Sequence, residues 1–353
     1  MANQDRKPGQ PGLDFGLMFS RGIEFVHYLH FPYVDGGQGG EYPHSMRHAV
    51  RVIVLIVLLA CAGCFGASRT PMADRGLSRD ELVTQKHEAE AAENLDKAMQ
   101  LLHNGEFLDP DAAMDYLNLA VELDPTLVTA RYQRAMLYLE RNRQEEALAD
   151  VQEVLKIRPD HLRSRFTVGY IYFMQGRYAD AVQAFNKVLD KDGNISEAFN
   201  LRGSCYVKLG RYEDAISDFT QTIARSPAHR DAYYNRGMAN MHLGYSLRAL
   251  HDLTQALSLD SENADTYLAR AGVYMKLDRR DQAMDDFDRA IELQPENTLL
   301  YAVVAEAHAS LGEFGEALKS ARRGLALAQA KGDAQAVGVY EGLISGYSAK
   351  SSQ

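Results

Sequence analysis

The 353 residues include no tryptophan and three cysteines, Cys61, Cys64 and Cys205. Two of the three end an apolar amino-terminal run, so no disulfide framework is implied. Catalytic signatures are missing as well. There is no G-x-x-x-x-G-K-[ST] phosphate loop, no H-E-x-x-H zinc pair and no G-x-S-x-G elbow. The cluster at Gly36, Gly37, Gly39 and Gly40 lacks a following lysine and reads as a flexible stretch. His87, His103, His161, His229, His242, His251 and His308 form no ligand pair. His27/His30 and His44/His48 have suitable spacing but no further ligands, so no metal is expected. No cofactor and no enzymatic activity are predicted. Basic charge is scarce: the formal charge is −10. Residues 1–64 are balanced, so the acidic excess lies in the remainder. Without a basic run to displace phosphate counterions, nucleic-acid binding is not expected. The acidity reads mostly as a solvated outer face.

What is present is a period. Ala147, Ala181, Ala215, Ala249, Ala283 and Ala317 recur every 34 residues. A second small column runs Ala135, Gly169, Gly203, Gly237, Ala271 and Ala305. An apolar column runs Val151, Phe185, Phe219, Leu253, Phe287 and Ala321. Small residues on one helical face let helices approach closely. Pro159, Pro227 and Pro295 stop helices, and Gly176, Gly210, Gly244 and Gly312 mark turns. Each period therefore predicts two antiparallel helices. Units of this length cannot bury their apolar face alone and must stack.

The pattern, fullest in Ala198–Pro227, resembles the tetratricopeptide repeat family. That resemblance implies an all-α, right-handed α-solenoid of antiparallel helix pairs. Six units in register cover 128–331. A looser unit at about 91–127 keeps Ala98, Leu101, Gly105, Phe107, Ala113, Ala120 and Pro125, with about three extra residues near Asp109-Pro110-Asp111. The family's tryptophan is replaced by Arg131, Arg165, Phe199, Tyr233, Tyr267 and Tyr301. Ser78-Arg79-Asp80-Glu81 matches a capping box, so residues 78–127 are expected to hold a capping helix and this degenerate first unit. Residues 332–353 are expected to close the array with a helix, on which Tyr340, Leu343 and Ile344 cover the last repeat.

Two columns change together. Arg134, Arg202, Arg236 and Arg270 stand sixteen residues before Asp150, Asp218, Asp252 and Asp286. Where the arginine is Val168 or Val304, the partner is Ala184 or Ser320. These are predicted to be structural pairs joining the two helices of a unit. Cys205 falls in an apolar helical column and is predicted to be buried.

In the resembled family the first helix of each unit lines a concave groove. Mapped here, that groove takes Tyr132, Met136, Phe166, Tyr170, Phe173 and Met174 from the first units. Further along it takes Asn200, Lys208, Tyr234, Met238, Met241, His242, Met275 and Lys276, with Arg163, Glu197 and Asp231 nearby. About half are expected in the groove and half in the core. Such a surface fits extended or helical peptides of other proteins. Asn200 and Asn235 lack the lysines that a chaperone-tail clamp would need.

The amino terminus adds location. Residues 46–64 read MRHAVRVIVLIVLLACAGC, with basic Arg47, His48 and Arg51 before the apolar Val52–Ala60. This is the layout of a secretory signal peptide. The ACAGC ending resembles a bacterial lipobox, with Cys64 favoured over Cys61 as the lipid-attachment residue. An uncleaved anchor and a plain cleaved signal are the alternatives. Residues 1–45 are expected to be an extension upstream of a start at Met46, and 65–77 a flexible tether. The sequence thus predicts a lipid-anchored adaptor of the bacterial cell envelope, its repeats facing the periplasm. Because Phe65 or Ala62, not aspartate, follows the modified cysteine, the outer membrane is favoured. A self-associating scaffold and a pilotin-like assembly factor are the alternatives; the oligomeric state is left open.

Overall fold

The computed structural model describes residues 78–103 and 106–351. The expected signal segment with Cys61 and Cys64, the tether up to Leu77, and Gly105 lie outside them. Two compact units divide between Ala130 and Arg131.

In the first unit, Ser78 starts α1 (Arg79–Gln100) through a reciprocal capping box with Glu81. Its hydroxyl accepts the Glu81 N–H at 3.2 Å and its own N–H donates to the Glu81 carboxylate at 2.6 Å. The helix runs unbroken over 22 residues. The segment expected to hold a capping helix thus runs on without a break into the looser unit's first helix. The extra residues form a hairpin of β1 (Leu102–His103) and β2 (Glu106–Phe107), with Leu102 opposite Phe107. Asp109 then caps α2 (Pro110–Leu123), whose first residue is proline, the position where a missing N–H is harmless. Ala91 and Ala98 of α1 and Ala113, Leu117 and Ala120 of α2 are buried between the two helices.

α3 (Val128–Glu140) crosses the division and pairs with α4 (Gln144–Ile157). The second unit continues with α5 (Leu162–Met174) and α6 (Tyr178–Leu189), α7 (Ser196–Lys208) and α8 (Tyr212–Arg225), and α9 (Arg230–His242) and α10 (Ser246–Leu259). Then follow α11 (Ala264–Lys276) and α12 (Arg280–Leu293), α13 (Thr298–Ser310) and α14 (Phe314–Lys331), and finally α15 (Ala334–Ser351). In the second unit each second helix also packs on the first helix of the next pair. The result is an α-solenoid of stacked antiparallel hairpins. First helices of successive pairs touch one another, α5 with α7, α7 with α9 and α9 with α11. This places first helices on the tighter side of the stack.

The sequence columns explain the geometry. All six alanines of the 34-residue column are fully buried. A Cβ at Gly169 would lie 2.8 Å from the Phe185 ring, and one at Gly203 would lie 2.9 Å from Phe219. Those glycines let the two helices of a pair close onto the aromatic ring. The turn within each pair is made by a left-handed residue at the same register: Asn142, Gly176, Gly210, Gly244, Asp278 and Gly312, with φ between 56 and 79°. Glycine meets this requirement without a Cβ clash, and Asn and Asp tolerate it best among the others. Entry to the first helices is capped by side chains of His161, His229, Asn263 and Asn297.

At the end of the stack, Tyr340 and Tyr347 of α15 are buried with Ala302, Ala305, Ala317, Ala321 and Ala328. Leu343 and Ile344 pack around this cluster. Gly324 accommodates Tyr340, whose ring a Cβ at that position would overlap. The Tyr340 hydroxyl donates to the Thr298 carbonyl.

Candidate binding face

Four ion pairs run through the second unit. The guanidinium of Arg134 grips Asp150 with both Nε and Nη2 at 2.7 Å. Arg202 holds Asp218 in the same fork, as Arg236 holds Asp252 and Arg270 holds Asp286. All four aspartates are buried. Burial raises the Asp218 carboxyl above its usual range although Arg202 sits beside it. Arg202 stays charged: its own burial opposes the charge, and Asp218 more than offsets that. The sequence columns did not show two further contacts. Arg131 also reaches Asp150, at 3.2 Å. The remaining Nη1 of Arg202 and Arg236 donates across to the preceding pair, to Asn186 at 2.6 Å and Thr220 at 3.0 Å. One arginine therefore ties together three helices.

The groove residues divide. Phe166, Met238 and Met241 are buried, and Phe166 meets Phe185 edge-on at 5.6 Å between ring centres. The expectation that these three face a partner is corrected: they fill space between helices. Phe173 is half-buried and engaged with Tyr178 at 5.8 Å. Tyr132 is half-buried against His161 at 5.4 Å. Exposed His242 stacks on Tyr212 of the neighbouring pair, with rings 4.6 Å apart. Met136, Tyr170, Tyr234 and Met275 are half-buried, and Met174, Lys208 and Lys276 are exposed.

A polar cluster adjoins these side chains on α7, α9 and α11. The Asn200 amide donates to Glu197 at 3.3 Å, while its buried Oδ1 has no partner among the described residues. Glu197 also meets His229 Nε2 at 3.3 Å. His229 Nδ1 accepts the Ala232 N–H, which leaves Nε2 to carry the proton facing Glu197. Burial opposes charge on His229, but Glu197 and Asp231 more than offset it, so its pKa rises. Arg230 pairs with Asp231 and reaches Asp260 at 3.6 Å. Burial raises the Asp265 carboxyl, only partly countered by Arg230, and burial also raises the phenol of neighbouring Tyr234. Four carboxylates, Glu197, Asp231, Asp260 and Asp265, thus share two cationic partners, His229 and Arg230, where aromatic side chains stay half-covered. The arrangement accepts hydrogen bonds and favours positive charge.

Other features are inert. Cys205 is fully buried, and burial pushes its thiol up to about 12, so it carries no thiolate. Among the described residues no cluster of three or more His, Cys, Asp or Glu could hold a metal. Among the same residues no helix is long and apolar enough to cross a membrane.

Comparison with known proteins agrees with this architecture. Residues 132–194 and 201–256 match one model of the tetratricopeptide repeat, and 264–297 match a second. No curated protein matches the chain. Among solved structures, a tetratricopeptide repeat protein from Parabacteroides merdae is 16% identical, with TM-score 0.53, covering 73% of this chain and 98% of its own. PilW, described as a widely conserved type IV pilus biogenesis factor, is 20% identical with TM-score 0.53, covering 61% of this chain and 98% of its own. The pilF protein of Pseudomonas aeruginosa is 16% identical with TM-score 0.51, covering 62% and 98%. These likenesses are of fold.

Proposed function

The chain belongs to the tetratricopeptide repeat family, and from that premise we propose that it is a non-catalytic adaptor whose first-helix face takes up segments of other proteins. One observation carries this reading. Tyr170 and Tyr234 stay half-buried on first helices, with Glu197 near Tyr170 and Asp231 and Asp265 near Tyr234. Glu197, Asp231 and Asp265 make lysine or arginine side chains the fitting donors. The reading extends to location: residues 46–64 serve as signal and lipobox, and Cys64 carries the lipid that holds the repeats at the envelope membrane. A membrane anchor and an adaptor face complement each other, since tethering raises the local concentration of whatever the face collects.

A photo-crosslinker placed at Lys208 should capture a protein partner, while one at exposed Arg289 on α12 should not. Capture at Lys208 should disappear in a Tyr170→Ala, Tyr234→Ala variant that melts within a few degrees of the parent. Partners retained by that folded variant would reject the face. Lipid incorporation lost in Cys64→Ala but kept in Cys61→Ala would support the anchor, and incorporation in neither parent nor variants would reject it.

A further inference from the structure

Glu197, Asp231 and Asp265 hold one register on three consecutive first helices, α7, α9 and α11. Thr129, Arg163 and Leu299 take that place on α3, α5 and α13, so the acidic row is confined to three repeats. Asp231 and Asp265 share the charge of Arg230. Glu197 meets a histidine instead. His229 stands just before α9, and its Nε2 lies 3.3 Å from the Glu197 carboxylate. Its Nδ1 accepts the Ala232 N–H and so caps the helix. The neutral ring, with its proton on Nε2, satisfies both contacts. Charging the ring adds the second proton at Nδ1, where it takes the place of the Ala232 N–H. The side chains of His229 and Glu197 are 20% and 30% exposed, so solvent protons and a partner's cation both have access to them.

Sibling repeats separate what His229 shares from what is its own. The same register carries His161, Asn263 and Asn297, and each caps its helix. Asparagine thus serves as the cap equally well. His161 is the other histidine, and by the same spacing of 32 residues its counterpart is Thr129, which carries no charge. Burial, together with Arg158 and Arg163, lowers the His161 pKa. Burial acts on His229 in the same sense, but Glu197 and Asp231 outweigh it and raise its pKa. The other charges on neighbouring elements are engaged elsewhere. Arg225 of α8 donates to the Gly193 carbonyl and to Gln221. Arg230 pairs with Asp231, and Asp265 of α11 lies by Arg230 and Tyr234. Tyr170 of α5 feels the charge of Glu197.

We propose that His229 is a proton-operated gate on the acidic row: its charged ring occupies Glu197 and weakens the hold on a lysine- or arginine-bearing segment, and its neutral ring returns the carboxylate to that segment. The gate rests on the first-helix face proposed above and adds its regulation. The sign follows from competition. A cation at Glu197 disfavours a second positive charge on His229, so uptake of the segment expels the proton. By reciprocity, affinity rises as pH passes upward through the raised pKa of His229. Acid releases the segment, and neutral to mildly alkaline pH retains it.

The test titrates the full chain, labelled at its tyrosine rings, with pentalysine amide at about pH 6 and about pH 8.5 and constant ionic strength. The Tyr170 and Tyr234 resonances report occupancy. The parent should bind about fivefold more tightly at the upper pH. Other groups also change the charge of the chain over this range, so two variants isolate the gate. His229→Asn keeps a capping side chain of the kind Asn263 and Asn297 supply, and should bind nearly as well at the lower pH as at the upper. Glu197→Gln leaves the His229 cap in place. It should also lose the pH dependence, and bind at the upper pH about as weakly as the parent does at the lower. A parent affinity equal at both pH values, or either variant keeping the parent's fivefold change, would overturn the gate and leave the face standing. No response of the Tyr170 and Tyr234 resonances at either pH would overturn the face and the gate together.

Discussion

At the scale of single residues, the arginine–aspartate forks show how burial and pairing trade against each other. A buried carboxylate is tolerated only while its guanidinium is present. Arg202→Met should therefore cost about 3–5 kcal/mol in urea unfolding, because Asp218 is left buried without its counter-charge. Arg202→Met with Asp218→Leu should recover most of that loss, since an apolar pair has no desolvation cost. Additive losses in this cycle would show that the pair is not coupled. The sign with pH follows from the raised carboxyl of Asp218. A folded-state carboxyl pKa above the unfolded value means the folded form holds its proton more tightly. The deficit of Arg202→Met should accordingly be largest at neutral pH and shrink as pH falls through that raised pKa. The pairing of these residues was legible in the sequence because two columns vary together. Their third contact, to Asn186 or Thr220, was not read from the sequence, although Asn186, Thr220 and Thr254 share one register, because it joins different repeats.

At the scale of the element, the turn between paired helices is the most constrained point. Gly210 has φ of 71°, where a side chain meets its own backbone. Gly210→Ala should lower unfolding stability by about 1 kcal/mol, measured by the urea midpoint. Gly210→Asn should cost less, as Asn142 holds the same register with φ of 56°. Equal losses for the two substitutions would remove backbone strain as the cause. The sequence marks four of these six turns by glycine. Asn142 and Asp278 are recognisable only once the period has been counted. The hairpin between α1 and α2 was harder still, because two-residue strands carry no periodicity of their own.

At the scale of the whole molecule, stacked repeats exchange energy chiefly with their neighbours. The last pair depends on α15, whose Tyr340 fills the space over Ala317, Ala321 and Gly324. Tyr340→Ala should cost about 3–5 kcal/mol locally. Hydrogen exchange should show lost protection in α13 and α14, with α5 to α8 unchanged. Uniform loss along the array would mean that the second unit unfolds as one block instead of repeat by repeat. The binding face behaves differently from the framework at this scale. Its side chains were named from their register on the first helices, yet Phe166 and Met241 are covered while Tyr170 and Met275 are not.

The period, the helix pairs, the close contacts at small residues and the arginine–aspartate matches are all written in the order of residues. They depend on neighbours within one hairpin, and local spacing determines those neighbours. Tertiary structure alone decided which face residues stay reachable, and that Asn200 and Asn240 keep an oxygen without a partner among the described residues. Each of these depends on what the adjacent repeat brings to the same place. A linear period treats every repeat alike, whereas packing compares each side chain with the one set against it.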